Sequence, residues 1–175
     1  MLQENLNLMN GADGETGVPG LKGVDHVGIS VPDLSAAVEF YTQMIGGVEL
    51  FRVGPLNAAD FPRTPDGRDW TEAHLNVPGA KLSVSTLKIG ANLLLELIQY
   101  DLPLDRRTVP PLNSDWGSHH VALAVSDIDR ATNYLRERGL RVMDGPVALE
   151  SGPSAGVKWV YFLDPWGNQM ELIAR

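Results

Sequence analysis

Cysteine is absent from the 175 residues. That absence excludes disulfides, thiolate metal sites, iron–sulfur clusters and a cysteine nucleophile together. It is the usage expected of a cytoplasmic protein in a reducing compartment. A basic surplus is missing as well: 14 Lys and Arg stand against 22 Asp and Glu, a formal net charge of −8. A surface of that sign repels phosphate backbones, which argues against nucleic acid and anionic membranes as partners. Long apolar runs are lacking. The strongest, 91–98, is interrupted by Asn92 and Glu96 and falls far short of the roughly 20 residues of a membrane span. Residues 1–10 hold neither a basic start nor a continuous apolar stretch, so no secretory leader is expected. A Gly-rich phosphate loop, a Ser-His-Asp order and a nucleophile elbow are also missing. What remains is ordinary for a globular chain. With 43% hydrophobic and 21% charged residues, disorder of the whole chain is excluded.

Residues 1–20 read as a flexible arm rich in turn formers, with Leu2, Leu6 and Met9 at helical spacing. From residue 24 the pattern sharpens. Val27, Ile29 and Val31 alternate with His26, Gly28 and Ser30, the period of a strand. Asp33 then offers an N-cap, and Leu34, Ala37, Val38, Tyr41 and Ile45 form the stripe of an amphipathic helix that Gly46-Gly47 stops. The same order returns later. A shift of 94 positions superposes His26 on His120, Val27 on Val121, Asp33 on Asp127 and Ala37 on Ala131. A shift of 75 superposes Leu95-Glu96-Leu97-Ile98 on Met170-Glu171-Leu172-Ile173. The chain is therefore read as a duplication: a first module over 21–115, with an inserted loop over 52–85, and a second over 116–175.

The chemistry is expected on the strand faces turned away from the helices. There His26 keeps company with Gly28 and Ser30, and His120 with Ala122 and Ala124. Small neighbours leave volume beside each imidazole, where a packed core would carry Val or Leu. Glu96 and Glu171 each interrupt an apolar strand, and a lone buried carboxylate is too costly to leave unpartnered. Two neutral imidazoles and two carboxylates balance a divalent cation and leave two octahedral positions open. Each residue taken alone is more often structural or solvated; repetition of the pair is what packing does not explain. His119 and His74 are read as structural and surface histidines. Trp70, Trp116, Trp159 and Trp166 are read as core more than cleft. Asp164-Pro165-Trp166-Gly167 has the composition of a type I turn leading into the strand of Glu171.

These stretches resemble the vicinal oxygen chelate superfamily, which groups glyoxalase I, methylmalonyl-CoA epimerase, extradiol dioxygenases and the fosfomycin and bleomycin resistance proteins. The resemblance rests on 24–34, 94–97, 119–125 and 162–172 and covers about 22–174. It implies an α+β fold in which two βαβββ modules form a curled mixed sheet around a metal-binding cleft. It places the metal ligands on His26, Glu96, His120 and Glu171, a set similar to bacterial glyoxalase I, around one divalent ion (Fe, Mn, Co, Ni or Zn). The implied activity is that of a glyoxalase-like isomerase or lyase, or an epimerase. Proton transfer would occur beside a chelated carbonyl or hydroxyl, with Glu171 and then Glu96 as bases. The alternatives are an Fe(II)-dependent extradiol-type dioxygenase and a resistance protein that sequesters a small molecule. The implied partners are a small substrate with vicinal oxygens and a second copy of the chain.

Overall fold

The Asp33 carboxylate sets the first turn of the first helix, as the sequence expects. In the computed structural model, which describes residues 17–175, it accepts a hydrogen bond from the Ala36 amide at 2.9 Å. Asp127 does the same for Arg130 at 2.9 Å. Each satisfies an amide that the helix itself leaves unpaired. The expected arm lies outside the described residues over 1–16.

The first module runs β1 (Val27–Ser30), α1 (Leu34–Gln43), β2 (Val48–Asn57), α2 (Trp70–Leu75), β3 (Lys81–Ile89) and β4 (Leu93–Leu102). The second runs β5 (Val121–Ala124), α3 (Ile128–Glu137), β6 (Val147–Ala148), β7 (Lys158–Leu163) and β8 (Gln169–Ala174). Both share one strand order, although the first carries the extra α2 and a longer β2. The sheet orders are β1-β4-β3-β2 and β5-β8-β7-β6, with the outer pairs β1/β4 and β5/β8 parallel and the rest antiparallel. The α+β architecture of two βαβββ modules is the expected one. The eight strands divide into two four-stranded sheets; hydrogen bonding does not join them into one.

The stretch 52–85 is less of a loop than its Pro and Gly content suggests. β2 continues to Asn57 and β3 begins at Lys81, so the insertion proper is 58–80, with a 3-10 turn and α2 inside it. The register of β2 shifts between Val53 and Leu56, where Gly54-Pro55 sits. A Cβ on Gly54 would lie 2.8 Å from Ser83 Cα, so only glycine fits. Because β2 is an edge strand, Pro55 deprives no inner neighbour of an amide.

The helix-side faces of both sheets share one core. Ile29, Leu34, Tyr41, Leu87, Leu95 and Leu97 from the first module meet Ile128, Leu135, Val160, Phe162, Met170 and Leu172 from the second. Hydrogen bonds cross between the modules: Tyr41 OH donates to Asp164 Oδ2 at 3.0 Å and lies 3.9 Å from Met170 Sδ, and Tyr134 OH donates to the Met44 carbonyl at 3.2 Å. With the apolar faces turned inward, strand alternation turns the His and Glu faces away from the core. No helix of the described residues is long and apolar enough to cross a membrane.

Candidate functional site

His26 and His120 each stand one residue before their strand, β1 and β5. The parallel pairing then brings each to its glutamate. Gly28 is in register with Glu96 and Ala122 with Glu171, so each carboxylate projects from the strand beside its own histidine. His26 Nε2 lies 3.4 Å from Glu96 Oε2, and His120 Nε2 lies 3.0 Å from Glu171 Oε2. Glu171 is the more enclosed carboxylate, its side chain 11% exposed against 28% for Glu96.

The four residues singled out in the sequence are thus brought together as two pairs. Among the described residues, no three His, Asp or Glu side chains converge closely enough to hold an ion. Each pair, however, suits half of a metal site. Two donors each about 2.1 Å from one ion and at right angles are themselves about 3 Å apart, which is the spacing seen here. One nitrogen and one oxygen per pair are donors that borderline divalent cations accept.

The two pairs differ in their surroundings, which the sequence did not disclose. His26 Nδ1 bonds Asp25 Oδ1 at 2.8 Å, which aims Nε2 at Glu96. A carboxylate behind an imidazole is the usual support for a ligating histidine. The Asp25 hydrogen bond first, and the charge of Glu96 second, raise the His26 pKa above its ordinary value. The position equivalent to Asp25 in the second module is His119, whose Nδ1 contacts the Gly117 carbonyl at 3.1 Å. His120 instead has Tyr161, whose hydroxyl is 3.5 Å from Nε2 and whose ring meets the imidazole edge-on at 5.1 Å. Tyr161 carried no sequence signal beyond lying ten residues before Glu171; only the register of β7 on β8 places it opposite that glutamate.

A cleft of about 590 Å³ runs between the modules, with Gly28 and Ser30 on one wall and His120 and Gln169 on the other. Arg106 and Pro110 lie along it. The small residues beside His26 do border open space, as their size implies. Asp164 pins the turn whose Trp166, Gly167 and Asn168 line the cleft. It is 4% exposed and accepts from the amides of Trp166 and Asn168, the Asn168 side chain and Tyr41. The turn leading to Glu171 is therefore pinned by one carboxylate. Its Gly167 lies so close to Pro110 that an added Cβ would stand 2.7 Å from Pro110 Cγ.

The remaining candidates separate clearly. His74 is exposed and tilts against Trp70, which stacks on Phe61. Trp116, read as core, is instead fully exposed, and Trp166 packs on the core through Phe40. Trp159 departs from the core assignment: it is half-buried on the face that carries Glu171, edge-on to Tyr161 at 5.3 Å. Arg52, Arg68 and Lys158 pair with Glu49, Asp66 and Asp129.

Comparison with known proteins agrees with this fold. The chain is 44% identical over 159 residues to a 2-epi-5-epi-valiolone epimerase from an Actinomyces species, covering 90% of this chain and 81% of that protein. It is 27% identical over 86 residues to the uncharacterized protein YwkD of Bacillus subtilis, covering 49% of this chain and 62% of that one. Among solved structures, a glyoxalase family protein from Bacillus cereus matches with a TM-score of 0.67 at 18% identity, over 90% of this chain and 98% of that chain. A fosfomycin resistance protein from Listeria monocytogenes matches with a TM-score of 0.52 at 18% identity, over 89% and 94%. These two likenesses concern the fold. The family model described as the Glyoxalase/Bleomycin resistance protein/Dioxygenase superfamily matches residues 23–172, and the chain belongs to that superfamily.

Proposed function

We propose that this enzyme is an epimerase acting on a small cyclic hydroxyketone. It removes a proton from a carbon beside the ketone and returns one to the opposite face. The observation that carries the reading is the repeated His–Glu pair, at 3.4 Å in one module and 3.0 Å in the other. Inversion at carbon needs an acid–base group on each side of the reacting centre, and a duplicated fold supplies two. Glu171, the more enclosed carboxylate, takes the proton, and the electron pair of the broken C–H bond moves into the adjoining carbonyl. Glu96, in its protonated form, returns a proton from the other side as that pair collapses back. Similarity to a 2-epi-5-epi-valiolone epimerase supports both the reaction type and a substrate bearing neighbouring oxygens.

His26, Glu96, His120 and Glu171 would hold one divalent cation from among Fe, Mn, Co, Ni and Zn, each carboxylate leaving the ion while it carries the proton. When bound, it supplies positive charge against the neighbouring oxygens, which acidifies the adjacent C–H. Asp25 keeps the His26 ring turned toward it. The working form is a homodimer, in which a second copy covers the open face of the first sheet. Val48, Phe51 and Val53 support that assembly, since they lie on β2 at 62%, 55% and 44% exposure.

Epimerisation in deuterium oxide tests the reaction. Deuterium should enter the carbon beside the ketone of a valiolone-type substrate, and Glu171→Gln should slow entry by about 10²–10⁴-fold. Retention of activity within tenfold in both Glu171→Gln and Glu96→Gln would dismiss the mechanism. Chelation followed by addition of single ions tests the cation. Mixing inactive His26→Ala with inactive His120→Ala protein tests the assembly. Activity reappears on mixing only where one copy supplies His26 and the other His120.

A further inference from the structure

Trp159 and Tyr161 are the unexplained residues of the site. They are two apart on β7, so they share a face, and the register of Tyr161 on Glu171 makes it the face of the candidate base. α3 packs on the other side of this sheet. Both side chains are half-buried, neither sealed in the core nor fully in solvent. Their planes meet at 68° with ring centres 5.3 Å apart, and Tyr161 in turn meets His120 at 86° and 5.1 Å. The row His120, Tyr161, Trp159 is therefore a fixed aromatic corner beside the reacting pair: an indole floor with a phenol wall.

The fold does not require this corner. The shift of 75 that superposes Glu96 on Glu171 also superposes Thr86 on Tyr161 and Val84 on Trp159. Thr86 faces Glu96 across β3 and β4 just as Tyr161 faces Glu171 across β7 and β8. One module builds this strand with Val and Thr and folds the same way. At these two strand positions only the second module carries large aromatics, so the first has no counterpart of the corner there.

We propose that Trp159 and Tyr161 form the binding corner that selects a saturated six-membered polyhydroxylated ring and presents one of its C–H faces to the indole. An aromatic face carries negative charge density, and the axial C–H bonds of such a ring are polarised positive, so the two attract. The ring hydroxyls project sideways, where the Tyr161 hydroxyl, 3.5 Å from His120 Nε2, can meet them. An open-chain hydroxyketone of three carbons has no such face to offer. The inference rests on the epimerase reading for the identity of the reacting carbon, while the corner itself is tested by binding.

The experiment uses full-length, metal-replete protein and two ketones, 2-keto-myo-inositol for the ring and dihydroxyacetone for the open chain. Calorimetry gives the Kd of each, and NMR follows solvent deuterium entering each. Trp159→Ala should weaken binding of the ring ketone about tenfold and leave dihydroxyacetone within twofold, a loss of about 1.4 kcal/mol for the ring alone. Trp159→Phe should recover most of the affinity, which covers the case in which the alanine variant folds poorly. Any deuterium entry should show the change in KM, with kcat within about threefold. Equal loss for both ketones, or no loss for the ring, overturns the proposal. So does dissociation of the oligomer in Trp159→Ala with ring affinity intact, which would make the corner an interface, and so does failure of the wild type to bind the ring. Ring binding that depends on Trp159, without deuterium entry, upholds the corner and counts against the epimerase reading.

Discussion

Replacing Tyr41 by Phe isolates the contact that joins the first helix to the turn feeding Glu171. The Tyr41 side chain is fully buried, and its hydroxyl donates to Asp164 at 3.0 Å. Burial, and then the Asp164 charge, push the phenol far above its ordinary pKa, so it stays a donor across the working pH range. The ring itself packs on Phe40 at 5.1 Å and survives the substitution. The loss is therefore one hydrogen bond to a buried carboxylate. Hydrogen bonds to charged groups contribute about 1.5–3 kcal/mol. Asp164 keeps the Trp166 and Asn168 amides and the Asn168 side chain as donors, so the low end, about 1.5–2 kcal/mol, is expected. For a chain of this length that lowers Tm by about 3–8 °C. Calorimetry at pH 7, with urea titration as a second measure, reads it directly. An unchanged Tm, or a rise, would mean that the link between modules contributes nothing and that the Asp164 turn holds itself.

Other outcomes follow from named contacts. Asp25→Ala removes the hydrogen bond that most strongly raises the His26 pKa. In metal-free protein, the NMR titration midpoint of His26 should fall toward the ordinary histidine value. A midpoint that does not move would show that Asp25 does not hold the ring. Gly167→Ala should cost at least about 1–2 kcal/mol for a side chain in the left-handed region, since Gly167 has φ 91. It should also push Pro110 off the turn, widening the cleft; a stable variant with unaltered Pro110 chemical shifts would contradict the packing.

Much of the fold was legible because its instructions are local. Asp33 and Asp127 cap helices by bonding amides three residues ahead, and Gly46 and Gly139 end them, so one-dimensional spacing suffices. The stretch 52–85 misled because Pro55 and Gly54 punctuate sequence as a loop does, whereas an edge strand absorbs them in a register shift. Trp159 looked like core because composition cannot tell which side of a strand faces the helix when flanking residues are also large.

The sequence by itself determined the duplication, the strand–helix order of each half, and which four side chains stand apart from packing. Those follow from periodicity and from the cost of placing His and Glu in apolar strands. Only the tertiary structure decided that His26 meets Glu96 and His120 meets Glu171 as separate pairs. It alone supplied Asp25, Tyr161 and Trp159 with their roles and tied the modules through Tyr41 and Asp164. Such contacts depend on strand register and on the sharing of one core, which join residues as far apart as Tyr41 and Met170, 129 positions, and leave no mark in local pattern.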